Sequence, residues 1–175
     1  MTTSPKTLGD WFRDFEREAF RLETLDDYGK SGDSTAYQAF LAGETQPESF
    51  RDANWVTTVR DATRAGKRVY RVHILSRPLT DYLRFELSWG YLRNMEAGEE
   101  FFVLDTTGQE NPIPDAPDFW LFDERVVGAM RYSDGGAFRG AEFVPEDQLP
   151  QFLNYRDEAM ARAVPFPEWW AQYGA

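Results

Sequence analysis

The stretch from residue 67 to residue 105 constrains this chain more than any other. Residues 67–76 read Lys-Arg-Val-Tyr-Arg-Val-His-Ile-Leu-Ser. β-branched content and alternation make this a strand with two distinct faces. Val69, Arg71, His73 and Leu75 share one face; Tyr70, Val72 and Ile74 share the other. The apolar spacing then becomes helical, through Leu79, Tyr82, Leu83, Glu86, Trp89, Leu92 and Met95, with Pro78 at the first turn and Gly98 at the end. Residues 100–105 form a second strand. A strand, a helix and a strand in that order predict a crossover between parallel neighbours.

The flanking segments fill in the fold. Thr7 and Asp10 resemble a capping box, and Trp11, Phe12, Phe15, Ala19 and Phe20 recur at helical spacing. This predicts a helix over 8–18, with 21–25 extended and 28–33 a loop. Asp33 or Ser34 caps a short helix that Gly43 ends, and Pro47 opens another that runs to Gly66. After a loop at 106–117 with three prolines, strands are expected at 118–123, 125–132 and 137–144, with a hairpin turn at 133–136. A helix follows from Pro145 to about Val164. The expected architecture is α/β, bordering on α+β. One mixed sheet of about five strands has helices on both faces. Residues 1–175 form a single domain: a helical segment 1–46 packs on a core 47–164, and 165–175 is an aromatic tail.

Composition limits the chemistry. There is no cysteine and one histidine. Disulfides, thiol nucleophiles, iron–sulfur sites and multi-histidine metal centres within one chain are therefore excluded. No P-loop, dinucleotide glycine fingerprint or G-x-S-x-G is present. No cofactor and no metal is expected. Residues 1–6 are short and polar, and no apolar run approaches the ~18 residues of a membrane span, so the expected location is the cytoplasm, off the membrane. The net charge is −11. Residues 51–93 carry 9 basic and 4 acidic side chains, whereas 94–124 carry 9 acids and no cation. Such a chain suits a basic protein partner better than nucleic acid, whose binding needs clustered cations.

The candidate site gathers at the end of the first strand of the crossover. His73 is the sole imidazole, on one face with Arg71, near a strand end where α/β sheets place ligands. Asp81, Tyr82, Arg84 and Glu86 follow on the helix. Glu86 lies on the apolar stripe, where a buried acid needs a cationic partner such as Arg71 or Arg68. Asp118 and Asp123 bracket an aromatic strand. Five residues apart they point to opposite faces, which favours turn anchors over a joint cation site. Arg71 and Arg84 are expected to hold a small anion or a partner's carboxylate, with Glu86 and Asp118 fixing them.

Several segments together resemble a known family: Ala19–Leu25, Arg71–Leu87, Asp118–Asp123, Phe138–Glu142 and Arg156–Ala159. They are similar to an uncharacterised actinobacterial family, a domain of unknown function, over nearly the whole chain. Its members are encoded beside helix-turn-helix regulators and small partner proteins, which implies a regulatory association. The rhythm of Asp118–Gly128 more weakly resembles the phospholipase D-like fold. That family's nucleophilic histidine would fall at Asp118 and its lysine at Trp120. Neither is present, so this resemblance implies a fold without its chemistry.

The function expected is a non-catalytic regulatory partner or ligand-sensing domain working with a transcriptional regulator. Two alternatives stand beside it. One is an enzyme acting on phosphodiesters or phosphates through His73. The other is direct nucleic-acid binding through the basic segment 60–77.

Overall fold

The computed structural model describes residues 5–31 and 34–174. The proposed cap at Asp33 lies outside them. In chain order the elements are α1 (Leu8–Asp14), β1 (Glu18–Glu23), α2 (Ser34–Leu41), α3 (Glu48–Arg51), α4 (Asn54–Arg64), β2 (Arg68–Leu75) and α5 (Asp81–Phe85). A π-helical turn (Glu86–Tyr91) joins α5 to α6 (Leu92–Ala97). Then come β3 (Glu100–Asp105), β4 (Phe119–Phe122), β5 (Val126–Tyr132), β6 (Phe138–Phe143), a 3₁₀ turn (Glu146–Gln148), α7 (Leu149–Arg162), β7 (Val164–Pro165) and α8 (Phe166–Tyr173). Among the described residues no helix is long and apolar enough to cross a membrane.

The strands make one mixed α/β sheet in the order β6-β5-β4-β1-β2-β3-β7. The crossover pair β2–β3 is parallel, as its connection requires, and β1 is parallel to β2. The remaining neighbours are antiparallel. Among the described residues the sheet has seven strands, not about five, and two segments account for the difference. The capping box at Thr7 is present, but the helix ends at Asp14, where Phe15 turns extended. Ala19 and Phe20 therefore lie on opposite faces of a central strand. The aromatic tail adds an edge strand and a helix to the body: Val164-Pro165 pairs with β3, and α8 buries Phe166 and Trp169. Pro78 precedes its helix instead of opening it, because Thr80 is the N-cap and accepts from the Leu83 amide.

Period-two alternation divides the core between the faces. Phe20, Leu22, Tyr70, Val72, Phe119 and Leu121 pack under Phe152 and Ala159 of α7. The opposite face holds two apolar clusters. Ala19, Val69, Trp120 and Phe122 pack against Val56 and Val59 of α4. Leu75, Phe101 and Val103 pack against Leu83, Leu87, Tyr91 and Phe166. Between them the sheet presents charge: Arg21 is paired in register with Arg71, and Glu23 with His73.

Asp123 pins the N-terminus of β1. Its carboxylate accepts the backbone N–H groups of Glu16, Arg17 and Glu18 at 2.7–3.0 Å, and these bonds hold its carboxyl below the usual range despite burial. The sequence placed Asp123 as the anchor of the turn after its own strand; its carboxylate instead holds a segment more than 100 residues away. Asp123→Ala is expected to cost about 2 kcal/mol, by removing charge-assisted bonds to three amides. Urea titration of the variant checks this.

Candidate functional site

The site grows from the two middle strands. Parallel registry sets Arg21 beside Arg71, flanked by Trp120 on β4 and Phe101 on β3. Two buried arginines side by side require carboxylates. Arg71 donates to Glu23 Oε1 through Nη1, and to Glu99 Oε1 through Nη2 at 2.6 Å and Nε at 2.9 Å. Arg21 Nη2 donates to Asp118 Oδ2 and to the Tyr132 hydroxyl, both at 2.9 Å. Asp118 also receives the Tyr28 hydroxyl at 2.5 Å and the Thr24 amide at 3.0 Å. It is thus buried within the ion network, held to Arg21 and not to Arg71 or Arg84. Both guanidiniums lie over the Trp120 ring, at 5.9 and 5.7 Å from its centre.

His73 sits one pleat along and has no exposed surface. Its Nε2 faces the Leu25 carbonyl at 2.8 Å. A carbonyl only accepts, so Nε2 carries a proton. Its Nδ1 lies 2.9 Å from the Tyr91 hydroxyl and 3.1 Å from Glu23 Oε2, and Tyr91 itself donates to Glu23 Oε2 at 2.8 Å. A second ring proton completes this arrangement. Burial pulls the imidazole down, but the hydrogen bond and charge of Glu23 prevail and raise it to about 9. Burial likewise opposes ionisation of Glu23, yet Arg71, followed by His73, holds its carboxyl well below the carboxylate range.

Glu86 is different. It enters from the π-helical turn, 4.0 Å from His73 Nδ1. Burial, then the charge of Glu23, pushes it up to about 8. An α-helix separates residues five apart by ~140° around its axis. A π turn bonds i to i+5 and brings them onto one face, so Glu86 and Tyr91 both reach His73. Glu23, His73 and Glu86 offer three ligand atoms within 4.8 Å of one another. The guanidinium of Arg71 already occupies Glu23, and charge from Arg21 also reaches both acids, so a cation there would meet two buried positive charges.

Over the network lies a cavity of about 510 Å³, within the usual range for small-molecule sites. Arg21, Arg71, Glu23 and Glu86 contribute charge to its lining, and its walls are largely aromatic, with Phe12, Trp55 and Trp120 on one side and Tyr37, Phe50 and Tyr82 also lining it. Two polar atoms of its lining residues are buried without any hydrogen bond among the described residues: Arg21 Nη1 and Glu86 Oε2. His73 does not line the cavity.

Of the residues expected from sequence, Arg71, His73, Tyr82, Glu86 and Asp118 do converge here. Asp81 and Arg84 do not. Both are exposed on the outer side of α5, opposite buried Tyr82 and Phe85, and Arg84 lines a separate groove with Arg77, Trp170 and Tyr173. Arg71 and Arg84 therefore cannot grip one anion. The partners of Glu86 were expected to be Arg71 or Arg68, but Arg68 pairs with Glu100 at the surface at 2.8 Å. Arg21, Glu23, Tyr28, Tyr91 and Glu99 were missed. In the basic segment, Arg71 is buried, Arg77 pairs with Asp105 at 2.7 Å, and Lys67 bonds the Phe15 carbonyl.

Comparison with known proteins places the chain without assigning chemistry. Residues 6–171 match the family described as "Domain of unknown function (DUF6879)", and the chain belongs to that family. No curated protein matches it. Among solved structures it is similar to the crystal structure of a phospholipase D family member, Nuc from Salmonella typhimurium, over 88% of this chain and 84% of that one, with 7% sequence identity and a TM-score of 0.47. At that level the likeness says nothing of chemistry.

Proposed function

We propose that this member of a family without assigned function is a non-catalytic ligand-sensing domain whose loaded state is read by a transcriptional regulator. One observation carries the ligand site: a cavity with aromatic walls lined by Arg21 and Glu86, each of which has a buried polar atom with no partner among the described residues. Native folds pair nearly all such atoms, and a pair of exceptions on residues lining one cavity suits a ligand that satisfies both. The non-catalytic reading draws on His73, whose ring nitrogens are both engaged within the protein and which has no open surface. The regulator as partner draws on the net charge of −11, which suits a basic protein, and on the resemblance to an actinobacterial family encoded beside helix-turn-helix regulators. A cytoplasmic location follows from the same reading.

Thermal unfolding against a panel of small metabolites tests the ligand site. A compound at ~100 times its Kd stabilises by ~2.7 kcal/mol, a shift of several degrees in a chain this long. Gly90 lines the cavity, and a Cβ there would meet only Glu86 Cγ at 3.7 Å, an ordinary contact. Gly90→Leu, with its side chain beyond Cβ filling the cavity, is expected to keep the fold, as circular dichroism checks, and to lose the shift. A panel with no hit, or a hit that Gly90→Leu leaves unchanged, overturns the cavity as the site. Co-purification of the loaded protein with a helix-turn-helix regulator tests the partner.

A further inference from the structure

We infer that the cavity takes an aromatic α-amino acid, with Arg21 receiving its carboxylate, Glu86 its ammonium group, and the aromatic walls its ring. This deepens the ligand-sensing reading and rests on it. The two unpaired atoms are of opposite kinds. Arg21 Nη1 is a guanidinium donor on a side chain 5% exposed, and Glu86 Oε2 is a carboxyl oxygen. A ligand with only a carboxylate would satisfy Arg21 and leave Glu86 without a donor. A plain amine would do the reverse. A zwitterion brings a partner for each in one molecule.

The surrounding charge points the same way. Arg21, Arg71 and protonated His73 face Glu23, Glu99 and Asp118, while Glu86 holds a proton up to about pH 8 and releases it to solvent when an ammonium group lies beside it. Three cations and three carboxylates already balance, so a ligand with net negative charge would enter among three carboxylates. One with net positive charge would meet Arg21 and Arg71. A ligand of no net charge disturbs neither. Arg71 offers no alternative grip, since Glu23 and Glu99 hold its three nitrogens. The walls select the remainder of the ligand. Trp55 and Trp120 lie 5.3 Å apart, Phe12 meets Trp120 edge-on at 4.8 Å, and Tyr37 and Tyr82 meet edge-on at 5.4 Å. Rings of this kind favour a flat guest stacked or edge-on among them. A site whose buried polar groups need partners rejects analogues lacking them far more strongly than an apolar slot rejects a missing methylene.

Isothermal titration of the full chain with L-tryptophan, L-tyrosine and L-phenylalanine tests this. The matching amines (tryptamine, tyramine, 2-phenylethylamine), which lack the carboxylate, and the matching acids (indole-3-propionate, 3-(4-hydroxyphenyl)propionate, 3-phenylpropionate), which lack the ammonium, serve as comparators. At least one amino acid is expected to bind at least tenfold tighter than its two truncated analogues. Glu86 Oε2 has no hydrogen bond among the described residues, so Glu86→Gln is expected to fold, as circular dichroism checks. It should weaken the amino acid at least tenfold while leaving the matching propionate unchanged or tighter. Equal binding of the truncated analogues, or no effect of Glu86→Gln, overturns the assignment. If no aromatic amino acid binds but another metabolite does, and Gly90→Leu abolishes that binding, the ligand class is wrong and the sensing site stands. If nothing binds, both fall.

Discussion

Glu23→Gln is expected to remove about 3–5 kcal/mol of stability, the usual cost of stripping one partner from a buried ion network. Glu23 is the acid on which the network converges. Its Oε1 takes Arg71 and its Oε2 takes Tyr91 and lies beside His73, while Arg21 approaches to 3.9 Å. Glutamine keeps the volume and removes the charge, leaving Arg71 with Glu99 alone and His73 with no counter-ion in hydrogen-bond reach. Urea unfolding measures the loss. The comparison is Glu100→Gln, which breaks the surface pair with Arg68, where both side chains are more than 40% exposed, and is expected to cost no more than about 1 kcal/mol. Equal losses in the two variants would sink the idea of a tightly coupled network. A second readout separates charge from packing. The chain has one histidine, so its ring protons give the only imidazole signals in a proton NMR spectrum. In the wild type they should titrate near 9. In Glu23→Gln, with the main raising influence gone and burial left to act, they should titrate below 6.5 or not at all before unfolding.

The same residues show what the sequence could and could not disclose. The alternation of β2 is visible because Val69, Val72, Ile74 and Leu75 mark both faces as apolar, and Arg71 and His73 stand out against them. Around β1 the helical spacing that begins at Trp11 runs on by coincidence through Phe15 and Ala19, so the strand was hidden at its start. A signal was available in Phe20-Arg21-Leu22-Glu23, where charged and apolar residues alternate strictly. A central strand whose charged face is buried must contain an ion network. That inference needs the knowledge that β1 is central, which comes only from pairing partners 50 residues ahead on β2 and 100 ahead on β4. Glu86 was legible because an acid on an apolar helical stripe is conspicuous. Asp81 and Arg84 misled because proximity in sequence to Glu86 says nothing of helix face. Tyr91 was missed because a 3.6-residue period turns it away from Glu86, and only the π-helical turn restores it.

Stability should fall as pH rises from about 5 to 9, the reverse of a fold limited by acid-labile carboxylates. Two groups in the network drive this. His73 rises from an ordinary 6.5 to about 9 in the fold. A group raised in the folded state contributes fully below its unfolded value, and that contribution disappears as pH passes the folded one. The imidazole therefore contributes below 6.5 and is lost through about 9. Across that window roughly 3 kcal/mol is at stake, at 1.36 kcal/mol per pKa unit. Glu86 rises from 4.5 to about 8. The folded chain holds a proton there that the unfolded chain has released, so stability falls with the same sign between 4.5 and 8. The groups setting these values come from every side of the pair: Glu23 and Arg21 on β1, Arg71 on β2, and Tyr91 on the turn that carries Glu86. Below about 4.5 the slope reverses, because Glu23, Asp105 and Asp123 are held below their ordinary values and stabilise less as they protonate. Urea titrations at pH 5, 7 and 9 check the wild type. Glu86→Gln separates the two groups. It removes a proton-binding site without removing a hydrogen bond, so it should match the wild type at pH 5, flatten the decline up to pH 7, and exceed the wild type at pH 9, where Glu86 would otherwise be a buried anion beside Glu23. A stability that climbs from pH 5 to 9, or a Glu86→Gln profile parallel to the wild type, would show that protons do not bind the network in this way.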